Sequence, residues 1–325
     1  MRVVVVPLMA WLAIGCAPAE TEIRFRSTVI TESDGVAMAD DGLTTYAAMQ
    51  GVTCALDVRW GCPTIEDDLP TENEQVLDHL DGTTIASSDA TLHYMDGGTW
   101  DPSRDVAMPA LRTARLSNAG LMVLNATQER CELDIGDATY EVDGALCTAE
   151  DYEVDRRGAL VAVTSEGILR ADANGVTKLA DEGDRSAVDM ARDYVYVATA
   201  GDTRLAAVDP SGAQAWSMDL ENPILDVASR GDKGDVVVLT QTADGYGQIE
   251  RRDGLTGETK AVRTVPSSEG ELVVAANGRT LALVLPDEIH HYEIVVDGED
   301  APEGEPVTCP DIPAPASSGL GVSFD

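Results

Sequence analysis

The stretch at residues 204–220, RLAAVDPSGAQAWSMDL, reads as two β-strands joined by a tight turn. Within the turn, the Asp209 carboxylate can accept backbone N–H groups, and Gly212 can take the positive φ that a reversal of the chain requires. Trp216 follows in the second strand and offers a large flat surface for burial between two sheets. The stretch therefore predicts a β-hairpin that packs against a neighbouring sheet.

The same arrangement, an apolar strand followed by a turn and a second strand, recurs along the chain. The apolar strands begin at residues 35 (GVAMA), 83 (TTIAS), 120 (GLMVL), 159 (ALVAV), 194 (YVYVA), 235 (DVVVL) and 280 (TLALV). Second strands follow at residues 91 (TLHYMD), 167 (GILRAD), 204 (RLAAVD), 247 (GQIERRD) and 289 (IHHYEIV). Subtraction of successive apolar starts gives spacings of 48, 37, 39, 35, 41 and 45 residues.

A four-stranded sheet needs about 40 residues, and several such sheets arranged radially form a β-propeller. The nearly continuous apolar strands indicate burial on both faces, while the alternating second strands indicate a wetter outer edge. The sequence therefore predicts an all-β fold, a single seven-bladed β-propeller over residues 31–298. Six or eight blades stay open, because the spacings do not determine the number to better than one.

Composition narrows the classes of partner. The chain has 325 residues and only 4% aromatic side chains, which favours a core of Val, Leu, Ala and Ile in strands. Its 58 acidic and 22 basic residues give a net charge of −36. A field of that sign repels nucleic acid and anionic lipid, so we expect no nucleic-acid partner. A solvated acidic surface explains the charge better than an acidic ligand site.

The hairpin at residues 204–220 carries a family resemblance. Ala207, Asp209, Gly212 and Trp216 resemble the tryptophan-docking repeat of the pyrroloquinoline-quinone-like β-propellers, within the wider group of WD40-like propeller repeats. The resemblance implies that Asp and Gly shape the turn between blade strands. It also implies that Trp packs between neighbouring blades.

Two partial copies of the repeat support this resemblance. RRDGLTGETKAV contains Asp253 and Gly257 without a Trp, and RADANGVTKL keeps only the turn residues Asp172 and Gly175. Quinone enzymes of the family also carry two adjacent cysteines against the cofactor, and this sequence has no such pair. We therefore expect the motif to be structural and the protein to hold no cofactor.

The N-terminus resembles an export signal of a bacterial lipoprotein. Arg2 precedes an apolar run that is too short to span a membrane, and residues 12–16, LAIGC, are similar to a lipobox. The match predicts a signal peptide at residues 1–15 and lipidation of Cys16, hence a lipoprotein of the outer membrane or cell surface. The rival cleavage sequence APA at residues 17–19 would instead release a soluble periplasmic or secreted protein.

Export to an oxidising compartment makes disulfides the default for the other cysteines. Cys54 and Cys62 would close a small loop, whereas Cys131 and Cys147 would staple a hairpin. Cys309 is left over. Zinc is disfavoured because no C-x-x-C pair occurs and the histidines are not spaced with the cysteines, so we expect no metal site.

Three segments lie outside the repeats. Residues 16–30 form a linker that ends in an alternating segment, which can supply the strand that closes the ring. Residues 63–75, PTIEDDLPTENEQ, form a polar insertion, and residues 299–325 form a tail rich in Pro, Gly and acid.

No sequence motif points to catalysis, since neither a G-x-S-x-G elbow nor a spaced Ser, His and Asp set is present. We predict a non-catalytic, envelope-anchored scaffold that binds a protein partner and contacts the membrane only through its lipid. In plan the chain is similar to the lipoprotein β-propeller of the outer-membrane β-barrel assembly machinery, which has more copies of the tryptophan repeat. An extracytoplasmic hydrolase or lyase with its site at the channel mouth stays open, as does a purely structural cell-surface lipoprotein.

Overall fold

The computed structural model describes residues 21–30, 35–49, 52–58, 63–65, 75–88, 90–96, 99–117, 119–127, 130–149, 151–155, 157–189, 191–229 and 234–296. These residues form seven antiparallel sheets, six with four strands and one with five. Consecutive sheets contact each other through their first strands, and the last sheet contacts the first. The protein is therefore a seven-bladed β-propeller, which confirms the fold predicted from the repeats.

Each blade begins with an innermost strand and continues outward. The innermost strands of blades 1 to 7 are β2 (Val36–Met38), β6 (Gln75–Leu80), β11 (Leu111–Ser117), β15 (Asp151–Val154), β19 (Arg185–Val188), β23 (Ile224–Ala228) and β27 (Glu271–Val274). The second strands are β3 (Thr44–Met49), β7 (Thr83–Ser88), β12 (Gly120–Ala126), β16 (Leu160–Thr164), β20 (Val195–Ala198), β24 (Asp235–Gln241) and β28 (Thr280–Val284).

The outer half of each blade follows the same order. The third strands are β4 (Val52–Asp57), β8 (Thr91–Asp96), β13 (Cys131–Ile135), β17 (Gly167–Asp172), β21 (Arg204–Val208), β25 (Gly247–Asp253) and β29 (Glu288–Val296). The outermost strands are β5 (Pro63–Ile65), β10 (Val106–Ala107), β14 (Ala138–Val142), β18 (Gly175–Ala180), β22 (Gln214–Asp219), β26 (Thr259–Val265) and β1 (Thr21–Ile30). The remaining elements are the short strand β9 (Thr99–Trp100), a 3₁₀ turn (Pro102–Arg104) and the helix α1 (Gly144–Cys147).

The ring is closed by the two ends of the described chain. Strand β1 pairs antiparallel with β29, with Ile23 opposite Ile294, and forms the outermost strand of blade 7. The first strand of the chain thus covers the edge that β29 would otherwise expose. Residues 21–30 thus supply the closing strand that the alternating segment before the repeats predicted.

Among the described residues eight apolar clusters form the core, and seven of them lie between two adjacent blades. The eighth is a small cluster of Ala86 and Met95 within blade 2. On β20, Tyr196 and Ala198 pack towards blade 6, whereas Val195 and Val197 pack towards blade 4. Successive residues of a strand point to opposite faces, so one second strand contributes to two clusters. This double burial explains why the second strands of the blades are the segments that form unbroken apolar runs in the sequence.

One strand of the repeat differs from its predicted place. The segment GVAMA at residue 35 contains the innermost strand β2 of blade 1. The other six apolar segments form the second strands of their blades. The true counterpart in blade 1 is β3, which begins at Thr44 and is masked in the sequence by its polar start, TTY. The innermost strands are short and broken by charges, so the sequence pattern did not separate them from the loops.

The cysteines fall into two groups. Cys131 at the start of β13 and Cys147 at the end of α1 form the expected disulfide, which staples the β13–β14 hairpin to the helix. Cys54 lies on β4, and its proposed partner Cys62 lies outside the described residues, as do Cys16 and Cys309. The signal peptide, the acidic tail and most of the insertion at residues 63–75 also lie outside them.

Candidate functional site: the central channel

The channel through the ring holds a cavity of about 120 Å³ that is lined by all seven innermost strands. Part of its wall is apolar, with Val36, Val188 and Val274 among the lining residues. Charged side chains join them from four blades, namely Asp78, Arg115, Asp151, Glu153 and Glu271. The channel is thus the place where chemically active side chains from distant parts of the sequence converge.

Two aspartates of the innermost strands each form a hydrogen bond from their own blade to the next one. Asp78 accepts a hydrogen bond from the Leu116 backbone N–H at 2.9 Å, which links blade 2 to blade 3. Asp226 accepts one from the Leu272 N–H at 2.6 Å, which links blade 6 to blade 7. Each aspartate follows a β-bulge in its strand, and a bulge re-aims the side chain after it. Both carboxylates therefore act as inter-blade clamps.

Two arginines also link adjacent blades, but here the side chain donates the hydrogen bond to a backbone carbonyl oxygen. Arg115 Nε donates to the Tyr152 carbonyl oxygen at 3.1 Å, which joins blade 3 to blade 4. Arg185 Nε donates to the Leu225 carbonyl oxygen at 3.0 Å, which joins blade 5 to blade 6. Charge-assisted bonds to the backbone hold the ring rigid around the channel.

The channel carboxyls are unusually easy to protonate. Burial raises the pKa of Asp226 to about 7, and the nearby Glu271 carboxylate adds to the rise, while the Leu272 N–H and Arg185 oppose it. Dehydration by the channel wall, with the nearby Asp151 carboxylate, raises the pKa of Glu271. The Glu271 side chain nevertheless remains accessible to water in the channel. Asp226 therefore exchanges its proton near neutral pH, and Glu271 holds its proton more tightly than an exposed glutamate does.

Asp226 should make the fold less stable as pH rises. Its folded pKa of about 7 lies above the ordinary value of 3.8, so the folded state binds the proton more tightly than the unfolded state does. The protonated Asp226 carboxyl therefore contributes its full stabilisation of the folded state below pH 3.8. That contribution is lost as the pH rises to about 7. The variant Asp226→Asn keeps an oxygen for the Leu272 N–H but loses the attraction to Arg185. We expect it to be more stable than the parent by about 2 kcal/mol at pH 8.

The measurement is urea unfolding of both proteins at pH 8 and at pH 5. The advantage of Asp226→Asn should shrink at pH 5, because the parent carboxyl is then mostly protonated in the folded state. An advantage of equal size at both pH values would show that the carboxyl does not titrate in this range.

Histidine does not contribute to the channel. The four histidines are instead buried within or between blades: His79, His93, His290 and His291. His79, for example, shares a hydrogen bond with Thr84 Oγ1 at 2.8 Å and stacks on the Tyr46 ring at a centroid distance of 5.2 Å. Within the described part of the chain, no group of three His, Cys, Asp or Glu side chains is placed to hold a metal ion. The channel therefore offers carboxylates and arginines without an imidazole.

The three turns singled out in the sequence occupy equivalent places in blades 4, 5 and 6, between the third and outermost strands. In blade 5, Asp209 Oδ1 accepts the N–H groups of Ser211 at 2.8 Å and Ala213 at 3.0 Å, and Gly212 has a φ of 84°. Asp253 with Gly257 and Asp172 with Gly175 form the other two turns in a similar way. Since each turn belongs to a different blade, these residues do not form a shared site.

Trp216 lies on β22 at the contact between blades 5 and 6. Its indole Nε1 donates to the Gly254 carbonyl oxygen in the blade 6 turn at 2.9 Å, and its ring centroid is 6.0 Å from that of Tyr196. Ala207, opposite Trp216 in the pairing of β21 with β22, is fully buried. Trp216 thus contacts residues of both blade 5 and blade 6.

Sequence reasoning missed two buried aspartates that shape the turns after the innermost strands. Asp155 Oδ2 accepts a hydrogen bond from Arg170 Nε at 2.7 Å, and Asp189 Oδ2 accepts one from the Tyr196 hydroxyl at 2.8 Å. Both follow a short strand directly and precede the next apolar strand by a few residues, in EVDRRGALV and AVDMARDYV. That repeated Val-Asp pair is the signal that could have identified them.

The ring of blades and its lined channel define the fold class of the protein, a seven-bladed β-propeller. Among solved structures it is similar to the crystal structure of the Cps50 (Swd1) β-propeller domain from Myceliophteria thermophila. The TM-score is 0.57 over 82% of this chain and 97% of that chain, with 13% sequence identity. At that identity the similarity establishes the fold alone.

No protein-family model matches the sequence, and no curated protein is significantly similar to it. Among the described residues, no helix is long and apolar enough to cross a membrane.

Proposed function

We propose that the protein is a non-catalytic scaffold, anchored to the cell envelope through Cys16, that binds a protein partner. The proposal rests on the bonds that the charged side chains of the innermost strands make. Asp78, Arg115, Arg185 and Asp226 bond to the backbone of the next blade, and the histidines lie elsewhere. The ring is thus built for rigidity, which suits the presentation of loops from several blades to one partner.

One face of the ring has the features of a contact surface. In a four-stranded antiparallel blade, the first and third turns lie on the same face, which we call the turn face. Leu43 in the first turn of blade 1 is 47% exposed, and Leu255 in the third turn of blade 6 is 53% exposed. Val176, directly after the third turn of blade 4, is 40% exposed. These apolar side chains lie on three non-adjacent blades of one face, so a partner that contacts all of them would span the ring.

The test is affinity isolation of the tagged, full-length protein from membranes. We expect a reproducible partner with the parent protein and at least about a tenfold loss with the double variant Leu43→Asp and Leu255→Asp, because buried charges disrupt an apolar contact. Tyr246→Asp is the matched control, since Tyr246 is 54% exposed in a second turn, on the opposite face.

Each outcome of this experiment decides a part of the proposal. Recovery of no protein above background would contradict the scaffold function and favour a purely structural role. Retention of the partner by the double variant would contradict the turn face. Membrane fractionation of Cys16→Ala tests the anchor, and a variant that stayed with the membranes would contradict it.

A hydrolase or lyase remains the second candidate, favoured by one observation. Glu271 lines the channel close to Asp226, and the pKa of each carboxyl is raised, which favours the protonated form that a general acid needs. This function predicts that Glu271→Gln abolishes turnover without loss of folding. The scaffold proposal predicts that the variant keeps its partner.

A further inference from the structure

A second cavity of about 190 Å³ opens beside the channel, between blades 2, 3 and 4. It shares Leu77, Arg115, Asp151 and Tyr152 with the channel cavity, so the two cavities are adjacent. The shared region lies near the start of β15, at the end of the channel away from the turn face.

The side cavity concentrates positive charge in a protein whose net charge is −36. Arg112 Nε donates to the Tyr152 hydroxyl at 3.3 Å, and its Nη2 donates to the Ala149 carbonyl oxygen at 2.9 Å. Arg115 is held by the Tyr152 carbonyl oxygen and by Thr113 Oγ1 at 3.1 Å. Among the described residues, Arg112 Nη1 and Arg115 Nη2 have no acceptor. Two fixed guanidinium groups thus still have N–H groups to offer an anion.

The channel cavity concentrates negative charge. Asp151 Oδ1 accepts its neighbouring Tyr152 N–H at 2.7 Å, while no hydrogen bond in the described part of the chain engages Oδ2. The Glu271 carboxylate likewise has no hydrogen bond or ion pair with any described residue, and both side chains are accessible from the cavity. Two like charges face one space, and a cation between them would relieve their repulsion.

We propose that the two adjacent cavities together bind a small zwitterion, an amino-carboxylic acid, whose carboxylate bonds to Arg112 and Arg115 while its ammonium group lies between Asp151 and Glu271. Arginine suits this role because its planar guanidinium matches a carboxylate, and ammonium groups bond readily to carboxylates. The proposal is independent of the scaffold function, which concerns the turn face.

The experiment is isothermal titration calorimetry on the purified full chain at pH 7, with glycine, γ-aminobutyrate and ε-aminocaproate as probes of different charge separation. Butyrate and butylammonium serve as probes that carry only one of the two charges. We expect at least one zwitterion to bind, and each single-charge probe to bind at least about tenfold more weakly.

Two variants separate the ends of the site. Glu271→Gln should weaken zwitterion binding by about tenfold and leave butyrate unaffected, whereas Arg112→Gln should weaken both. Matched controls are Glu182→Gln and Arg204→Gln, which change exposed residues in blades 4 and 5 that lie away from both cavities.

The Glu271 variant keeps the test decisive. Its side chain makes no hydrogen bond that folding needs, so we expect a melting temperature no lower than that of the parent, even where Arg112→Gln disturbs the packing against Tyr152. The proposal is overturned if none of the three zwitterions binds, if butyrate binds as tightly as they do, or if Glu271→Gln binds them like the parent.

Discussion

Replacement of Asp155 by alanine is expected to lower the free energy of unfolding by about 3 to 5 kcal/mol, because it leaves the buried Arg170 guanidinium with only the more exposed Asp172 as a charged partner. Asp155 is 2% exposed. Its Oδ1 accepts the backbone N–H groups of Arg157 at 2.9 Å and Ala159 at 2.8 Å. Its Oδ2 accepts Arg170 Nε at 2.7 Å. The substitution removes all three bonds at the turn between β15 and β16, and urea unfolding at pH 7 measures the loss.

The control for this prediction uses the other partner of the same arginine. Asp172 accepts Arg170 Nη1 at 2.6 Å, and its side chain is 25% exposed. We expect Asp172→Ala to cost about 1 kcal/mol, because water can replace the lost carboxylate. The double variant Asp155→Ala with Arg170→Met should recover part of the stability, since it removes the buried charge that Asp155 no longer balances. Equal losses from the two single aspartate variants would contradict the assigned role of Asp155.

Replacement of Gly254 by alanine is expected to destabilise the fold by about 3 kcal/mol or more, through steric overlap at the contact between blades 5 and 6. A Cβ atom at this position would overlap the Gly234 carbonyl oxygen and the Tyr196 hydroxyl. Relief of the overlap would move the turn and strain the bond from Trp216 to the Gly254 carbonyl oxygen. Thermal and urea unfolding would both detect the change.

Gly144→Ala provides the matched control, because it adds the same methyl group where no atom lies within 4 Å of the new Cβ. Neither glycine has a positive φ, so backbone strain does not distinguish the two substitutions. We expect Gly144→Ala, at the start of α1, to be neutral within about 0.5 kcal/mol. A comparable loss from both variants would indicate that the overlap at Gly254 is relieved without cost.

The repeat was predictable because its signals are local. An unbroken apolar run marks a strand buried on two faces, and Asp with Gly marks a turn, as in the hairpin that contains Asp209 and Gly212. The innermost strands were not predictable in the same way. They are short, and charges such as Asp151, Arg185 and Glu271 interrupt them, so their polar positions look like loop residues in the sequence. In the ring those positions face the channel or bond to the next blade.

The channel site was invisible in the sequence for a related reason. Arg115, Asp151, Asp226 and Glu271 come from four different blades, and more than 150 residues separate the first from the last. No spacing rule connects them, because each is placed by the radial arrangement of the sheets and by local bulges such as the one before Asp226. A search for a compact motif therefore found turn residues, which are local, and missed the residues that converge.

The sequence by itself determined that this protein is an all-β ring of repeated sheets, because strand alternation, turn chemistry and repeat spacing act within about 40 residues of chain. Only the tertiary structure decided which charges clamp neighbouring blades and which face the channel cavities. Those roles depend on contacts between innermost strands that meet only when β1 pairs with β29 and the ring closes.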